Sequence, residues 1–399
     1  MPFILIVVFI DVLGIGIALP VLPILVGEYT ASRELQAYWY GALVVVYGVM
    51  QFFCAPLLGA LSDRFGRRPI LLWSLLGLGL HFLLLGLAPS LALMFVARVV
   101  GGASGASFSV ANAYASDVTS AEQRAKSFGM VGAAFGLGFI FGPVIGGLLG
   151  GINLHLPFYA AAGLSLVNAV YGYFIVPESL PPDRRAAFTL AKANPFAALL
   201  TLARHREIGS LVIVFALIVL AQLMLQVSWV LFTHFRFGWG PRENGFAFFC
   251  VGMVAAVVQG GLLGMLLRRF GSNRLALTGI ATGTVAYVLY GLAQQGWMMY
   301  AIIVANFVSF AAGPALQAVV SNAVDPREQG VTMGALNSIN SIMFVVAPMI
   351  STPLLAAVGH LPPEDWRVGA TFFVSALLQA AAFWIARRHF VGVPAARPA

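Results

Sequence analysis

Charge is what this sequence has least of. Only 9% of its 399 residues are Asp, Glu, Lys or Arg, where a water-soluble chain carries about 25%. So few charges cannot cover a solvated surface, which excludes a globular soluble enzyme. Cysteine is nearly missing as well. Cys54 and Cys250 both sit in apolar stretches, which suits packing residues better than a disulfide or a thiolate metal site. No His-rich or Cys-rich pairing at ligand spacing occurs, so no metal is expected, and an intramembrane enzyme finds no cluster to work with. No nucleotide-binding loop is present, so no cofactor is expected and any work done must draw on a gradient. The apolar stretch that begins at Pro2 lacks a small-residue cleavage site followed by a polar chain, so it reads as a retained helix rather than a signal peptide.

What is abundant is apolar length. Hydrophobic residues make up 60% of the chain, and the mean hydropathy is +0.92. Twelve apolar runs can be marked, from Phe3–Leu25 to Trp366–Ala386, each close to the 20 or so residues that cross a bilayer as a helix. The fourth, Leu91–Ala115, and the tenth, Trp297–Ala323, read as continuous. The expected class is an all-α integral membrane protein of twelve transmembrane helices in two pseudo-symmetric six-helix bundles. Residues 1–176 form the first bundle and 208–399 the second. Between them, 177–207 is a polar linker holding Pro, Asp, Arg and Lys, with a short amphipathic surface helix anticipated over Phe188–Leu202.

The net charge of +8 could suggest a nucleic-acid partner, but its distribution assigns it to topology. Of the 22 basic residues, Arg98 lies inside a run, and Arg33, Arg236, Arg242 and Arg367 fall on one side. The other seventeen fall on the opposite side. Basic turns face the cytoplasm, so both termini are expected there, in the inner membrane, and no nucleic-acid partner is implied.

The densest charge cluster is Gly59-Ala-Leu-Ser-Asp63-Arg64-Phe-Gly66-Arg67-Arg68-Pro69, between the second and third runs. An ordinary topological anchor needs the arginines but not the glycine and aspartate framework. A weaker copy, Gly264-x-Leu266-x-x-Arg269-Phe270-Gly271, lies 205 residues on. Glu328-Gln329 echoes Glu122-Gln123 at an offset of 206. Two echoes at nearly one spacing argue for duplicated halves. The copy has Arg268 where Asp63 would stand.

Three ionisable residues lie inside runs: Asp11, His81 and Arg98, all in the first half. A charge there costs roughly 2.5–3.5 kcal/mol even on lenient scales. Asp11 sits about 12 Å from the inner end and His81 about 16 Å up its run, from helical rise. Asp11 reads as a protonatable site facing a water-filled cleft; the competing reading is a structural Asp that caps or pairs with Arg98. His81 reads equally as a proton relay or substrate contact and as a histidine bonded to a neighbouring backbone. Arg98 reads as a partner that tunes Asp11 or the proton route.

The fifth run carries Gly129, Gly132, Gly136, Gly138, Gly142-Pro143 and Gly146-Gly147. Small residues let helices approach closely, and Pro143 allows a kink. Amides recur in the other runs: Gln51, Gln222, Gln226, Gln259, Asn306, Gln317, Asn337 and Asn340. Each is either interhelical glue or a polar cavity lining.

The Gly59–Arg68 turn resembles the loop 2–3 signature of the major facilitator superfamily. The run from Gly138 through Gly142, Pro143, Gly146 and Gly147 is similar to the helix-5 signature of its antiporters, and Arg98-x-x-x-Gly102-x-x-Gly105-Ala106 resembles its proton-coupling motif. Asp11-Val-Leu-Gly-Ile-Gly-Ile-Ala-Leu-Pro20-Val-Leu-Pro23, Trp229-Val-Leu-Phe-Thr and Pro314-Ala-Leu-Gln317 resemble the bacterial tetracycline/proton antiporters. The resemblance implies coupling, gating or drug-cavity roles for Asp11, Gln51, Asp63, Arg98, Trp229, Gln259 and Gln317. It also marks departures. His81 and Gly283 stand where that branch has acids, and Ala255 where it has a histidine. Fewer acids suit a neutral or anionic, partly apolar substrate better than a metal chelate. The implied function is proton-coupled export of a small compound by a functional monomer in a lipid bilayer. The alternative is an exporter or importer of another metabolite on the same scaffold. A channel, which needs a ring of like groups, fits the asymmetric repeats poorly.

Overall fold

The computed structural model describes residues 1–120, 123–189, 209–324 and 329–392. Most of the anticipated surface helix Phe188–Leu202 lies outside them. Among the described residues all regular structure is helical. Hydrocarbon offers no water to unpaired backbone groups, so apolar runs of this length close their hydrogen bonds internally as helices.

Among the described residues eleven helices are long and apolar enough to cross a membrane. They are α1 Pro2–Gly27, α2 Arg33–Phe65, α3 Arg67–Gly86, α4 Leu91–Asp117, α5 Lys126–Gly150, α6 Leu156–Ile175, α7 Gly209–Phe237, α8 Pro241–Phe270, α9 Ser272–Leu292, α11 Thr332–Ala357 and α12 Trp366–Phe390. A twelfth span, α10, is a pair, Gly296–Ala305 and Phe307–Ser321, bent by 52°.

By contact the chain divides into two units, one of residues Met1–Pro195 with Trp239–Phe249, the other of Phe196–Gly238 with Cys250–Ala399. In the first, α1 packs on α5 and α6, α3 on α6 and α4, and α2 on α4. Ile4, Val8, Leu71, Leu75, Val110 and Val131 lie at its centre. In the second, α7 packs on α11 and α12, and α9 on α12 and α10, around Leu211, Val214, Ile280, Leu316 and Leu336. The second pairing pattern is the first one shifted by six helices. The repeat reaches the backbone too. Gly66, between α2 and α3, has φ 106° and ψ 160°, and Gly271, between α8 and α9, has φ 73° and ψ 158°. Side chains strain such a backbone, which is why glycine ends the second helix of each half.

Two runs read as continuous are interrupted. In α4 the helix stops at Ser104 and restarts at Ser107, with Gly105 and Ala106 in a turn. In α10 it stops at Ala305 and passes through a 3₁₀ stretch, Phe307–Ala311. Pro314 leaves the Phe310 carbonyl of that stretch, four residues before it, without a helical N–H. No proline marks the α4 break. There the turn is closed by Gly105 N–H to Gly102 O, and the Gly105 carbonyl turns to a side chain. α8 also carries one π-helical stretch, Val257–Leu262. By contrast, α5 runs without interruption through Pro143.

Candidate functional site

Asp11 lies inside α1 with 3% of its surface exposed. The restart of α4 delivers Ser107 to it, and Ser107 Oγ donates to Asp11 Oδ2 at 2.6 Å. Asp11 Oδ1 has no partner among the described residues. From α6, Asn168 donates to the Val7 carbonyl at 2.9 Å and ties α1 in place one turn away.

Arg98 does not pair with Asp11. It donates from Nε to the Leu43 carbonyl of α2 at 3.1 Å, and its guanidinium lies 4.2 Å from the Tyr47 ring centre. Tyr47 is within electrostatic range of both Arg98 and Asp11. The reason is geometric: Arg98 faces α2, whereas Asp11 meets α4 past its break. His81 is buried, with Nδ1 2.7 Å from the Ala97 carbonyl. Its ring fills the space left by Gly101, where a Cβ would come within 2.6 Å of it. The histidine therefore packs α3 against α4.

At the α2–α3 turn, Arg67 is the hub. It meets Asp63 at 2.5 Å, Asp117 at the end of α4 at 2.9 Å, and Ser62 Oγ at 2.7 Å. Glu178, just past α6, accepts from the backbone N–H of Arg67 at 2.8 Å and of Arg68 at 3.2 Å. Arg68 lies against Tyr173, and Arg64 lies over Phe65. The start of the linker joins the cluster as well, since Ala186 N–H donates to the Asp63 carbonyl at 3.0 Å. Ser107, Tyr47, Asp117 and Glu178 were not singled out from sequence. A signal existed for the last two: each is a lone acid at the end of an apolar run near arginines.

The glycines of α5 divide three ways. Cβ atoms on Gly138, Gly142 and Gly146 would strike the α1 backbone at Phe9, Leu13, Gly16 and Ile17. One on Gly147 would strike Pro241 and Gly245 at the start of α8. Gly129, Gly132 and Gly136 face open space. The glycines thus serve more than one side, and only the later ones make a seam.

Gln51 donates to the Gly105 carbonyl at 3.2 Å, and Gln259, in the π-helical stretch, to the Phe310 carbonyl at 3.5 Å. Each caps a carbonyl freed by a break. Gln222, Gln317, Asn337 and Asn340 are exposed, Gln226 and Asn306 half-buried. Trp229 is buried, its ring centre 5.4 Å from that of Tyr290. Gly283 leaves room that the Gln379 amide of α12 occupies, with a Cβ there only 2.8 Å from Nε2. Among the described residues no group of three His, Cys, Asp or Glu is placed to hold a metal ion.

Comparison with known proteins agrees with this geometry. The Major Facilitator Superfamily profile matches residues 4–348. The class C tetracycline resistance protein of Escherichia coli is 38% identical over 93% of this chain and 93% of its own. The class B protein of the same organism is 34% identical over 96% and 95%. Among solved structures, the nucleoside transporter NupG has a TM-score of 0.78 at 13% identity, covering 97% of this chain and 98% of its own. The human organic anion transporter MFSD10 (TETRAN) has a TM-score of 0.70 at 23% identity, over 96% and 98%. The chain, a multi-pass membrane protein, belongs to the major facilitator superfamily.

Proposed function

We propose that this protein is a proton-coupled antiporter that exports a small, partly apolar, tetracycline-like compound from the cytoplasm by alternating access. Asp11 carries the reading. It is a buried carboxyl in a transmembrane helix, with one oxygen held by Ser107 and the other unpartnered. That free oxygen is where a proton loads when water reaches the site. The names of the relatives, tetracycline resistance proteins, support the substrate class.

In this reading 1–176 and 208–399 are the moving halves, 177–207 joins them, and both termini are cytoplasmic in the inner membrane. The Asp63–Arg67–Asp117 cluster is the gate latch, and the α5 seam of Gly138, Gly142, Gly146 and Gly147 resists leak. The exposed amides of the second half, Gln222, Gln317 and Asn337 among them, line the path, and the single chain is the working unit. A second reading, a different exported or imported metabolite, is favoured by Gly283, whose space holds the neutral Gln379 amide.

The test is a susceptibility panel in an efflux-deficient host. Asp11→Asn should abolish resistance to the exported drug, at least tenfold in inhibitory concentration, while membrane levels of the protein stay normal. Undiminished resistance in that variant removes Asp11 from the mechanism.

A further inference from the structure

The repeat separates what the α4 break does for the fold from what it does for chemistry. Both halves interrupt the same helix and restart it at matching residues, Ser107 and Ala312; Gly105 and Phe310, also 205 residues apart, each give their carbonyl to a glutamine of the second helix of their half. The break and its amide cap therefore belong to the architecture. The acid and the hydroxyl do not. At the same offset, Ala216 stands for Asp11 and Ala312 for Ser107, both packed into the apolar core of the second unit. The first half alone has Ser107 Oγ 2.6 Å from a buried carboxylate oxygen. Serine in a helix ordinarily bonds back to the preceding turn; Ser107, in the first turn after the break, reaches another helix.

We propose that Ser107 is the positioning residue of the proton site. This rests on the reading of Asp11 as that site. The hydroxyl holds Oδ2, so Oδ1 is the oxygen that takes and releases the proton, and the α4 break, an architectural feature of both halves, places the hydroxyl only in this one. The other groups around the site leave this role open. α2 brings Tyr47, with Arg98 of α4 against its ring. α3 brings His81, held on the Ala97 carbonyl. Further along α4 lie Tyr114 and Asp117, the latter taken up by Arg67. α5 has no charged side chain past Lys126, and α6 has only the tyrosines Tyr159, Tyr171 and Tyr173. Among the described residues Asp11 Oδ1 has no hydrogen-bond partner.

The experiment is a pH titration of the purified protein in liposomes, followed by the infrared carboxylic-acid C=O stretch, and needs no substrate. The band missing from D11N belongs to Asp11. A hydroxyl that donates to a carboxylate stabilises the charged form, so its removal makes the proton harder to release. In S107A the midpoint of the band should move to higher pH by about one unit, a tenfold change in proton dissociation. S107T should restore it. If S107A fails to insert, S107C, a weaker donor, should show part of the shift. A midpoint in S107A or S107C equal to wild type overturns the proposal, as does a shift that S107T fails to reverse, which marks lost packing. If D11N removes no band, the proton-site reading itself falls, an outcome distinct from either.

Discussion

Glu178 accepts from three backbone donors that have no helical partner of their own: Arg67, Arg68 and Leu180. The first two open α3, where unpaired N–H groups and the positive end of the helix dipole favour a carboxylate. The Gly66 backbone gives it room, since a Cβ there would collide with the carboxylate. Glu178→Ala should cost about 1–2 kcal/mol, the usual worth of a lost N-terminal cap. Glu178→Gln, which keeps an acceptor without the charge, should cost about half of that. Thermal unfolding in detergent reads both. A melting temperature for Glu178→Gln equal to that of the unsubstituted protein would mean that the charge contributes nothing. Pro177-Glu178-Ser179 looks from sequence like the first polar residues of a linker, because nothing local says that a carboxylate will fold back 111 residues to cap another helix.

Among elements, α5 offers the sharpest contrast. Gly138, Gly142 and Gly146 lie where α1 leaves no room for a methyl group, whereas Gly129, Gly132 and Gly136 face open space. Added methyls at a packed helix contact usually cost 1–3 kcal/mol. Gly146→Ala should therefore lower the melting temperature, and Gly132→Ala should leave it unchanged or raise it by the better helix propensity of alanine, up to about 1 kcal/mol. Thermal unfolding of the two variants decides this, and similar losses in both would contradict the division. The sequence reveals glycine content but not azimuth over so many small residues, so the division among α1, α8 and open space is visible only in the structure. Asp11 and the Gly59–Pro69 turn were legible because charge in hydrocarbon, or a glycine at a helix junction, has few explanations. Ser107 was not, because a hydroxyl in an apolar run ordinarily satisfies itself. The α4 break was hidden for a related reason: no proline marks it, and a distant amide, Gln51, closes it. The α10 break had its signal in Pro314, which α5 shows to be ambiguous, since Pro143 leaves that helix uninterrupted.

For the molecule as a whole, the proposed orientation rests on more than the number of arginines. On the sparse side, Arg236 and Arg367 are already committed. Arg236, 7% exposed, gives Nε to the Ala293 carbonyl at 2.6 Å and a second nitrogen to the Asp365 carbonyl at 2.9 Å, binding the ends of α7, α9 and the α11–α12 loop together. Arg367 is paired with Asp365 at 2.7 Å, which offsets its charge. On the crowded side, Arg268, Arg269 and Arg388 are exposed at the ends of α8 and α12, with Arg388 stacked 3.5 Å over the Trp384 ring. Cation–aromatic pairs of this kind suit the boundary between hydrocarbon and headgroups. With Cys54 and Cys250 replaced by alanine, a single cysteine at Asp183 should resist a membrane-impermeant maleimide in intact cells and react after lysis. One at Glu364 should react in both. The reverse pattern would turn the molecule over, place the Arg67 latch outside, and leave the buried carboxyl without its proposed inward route of proton release.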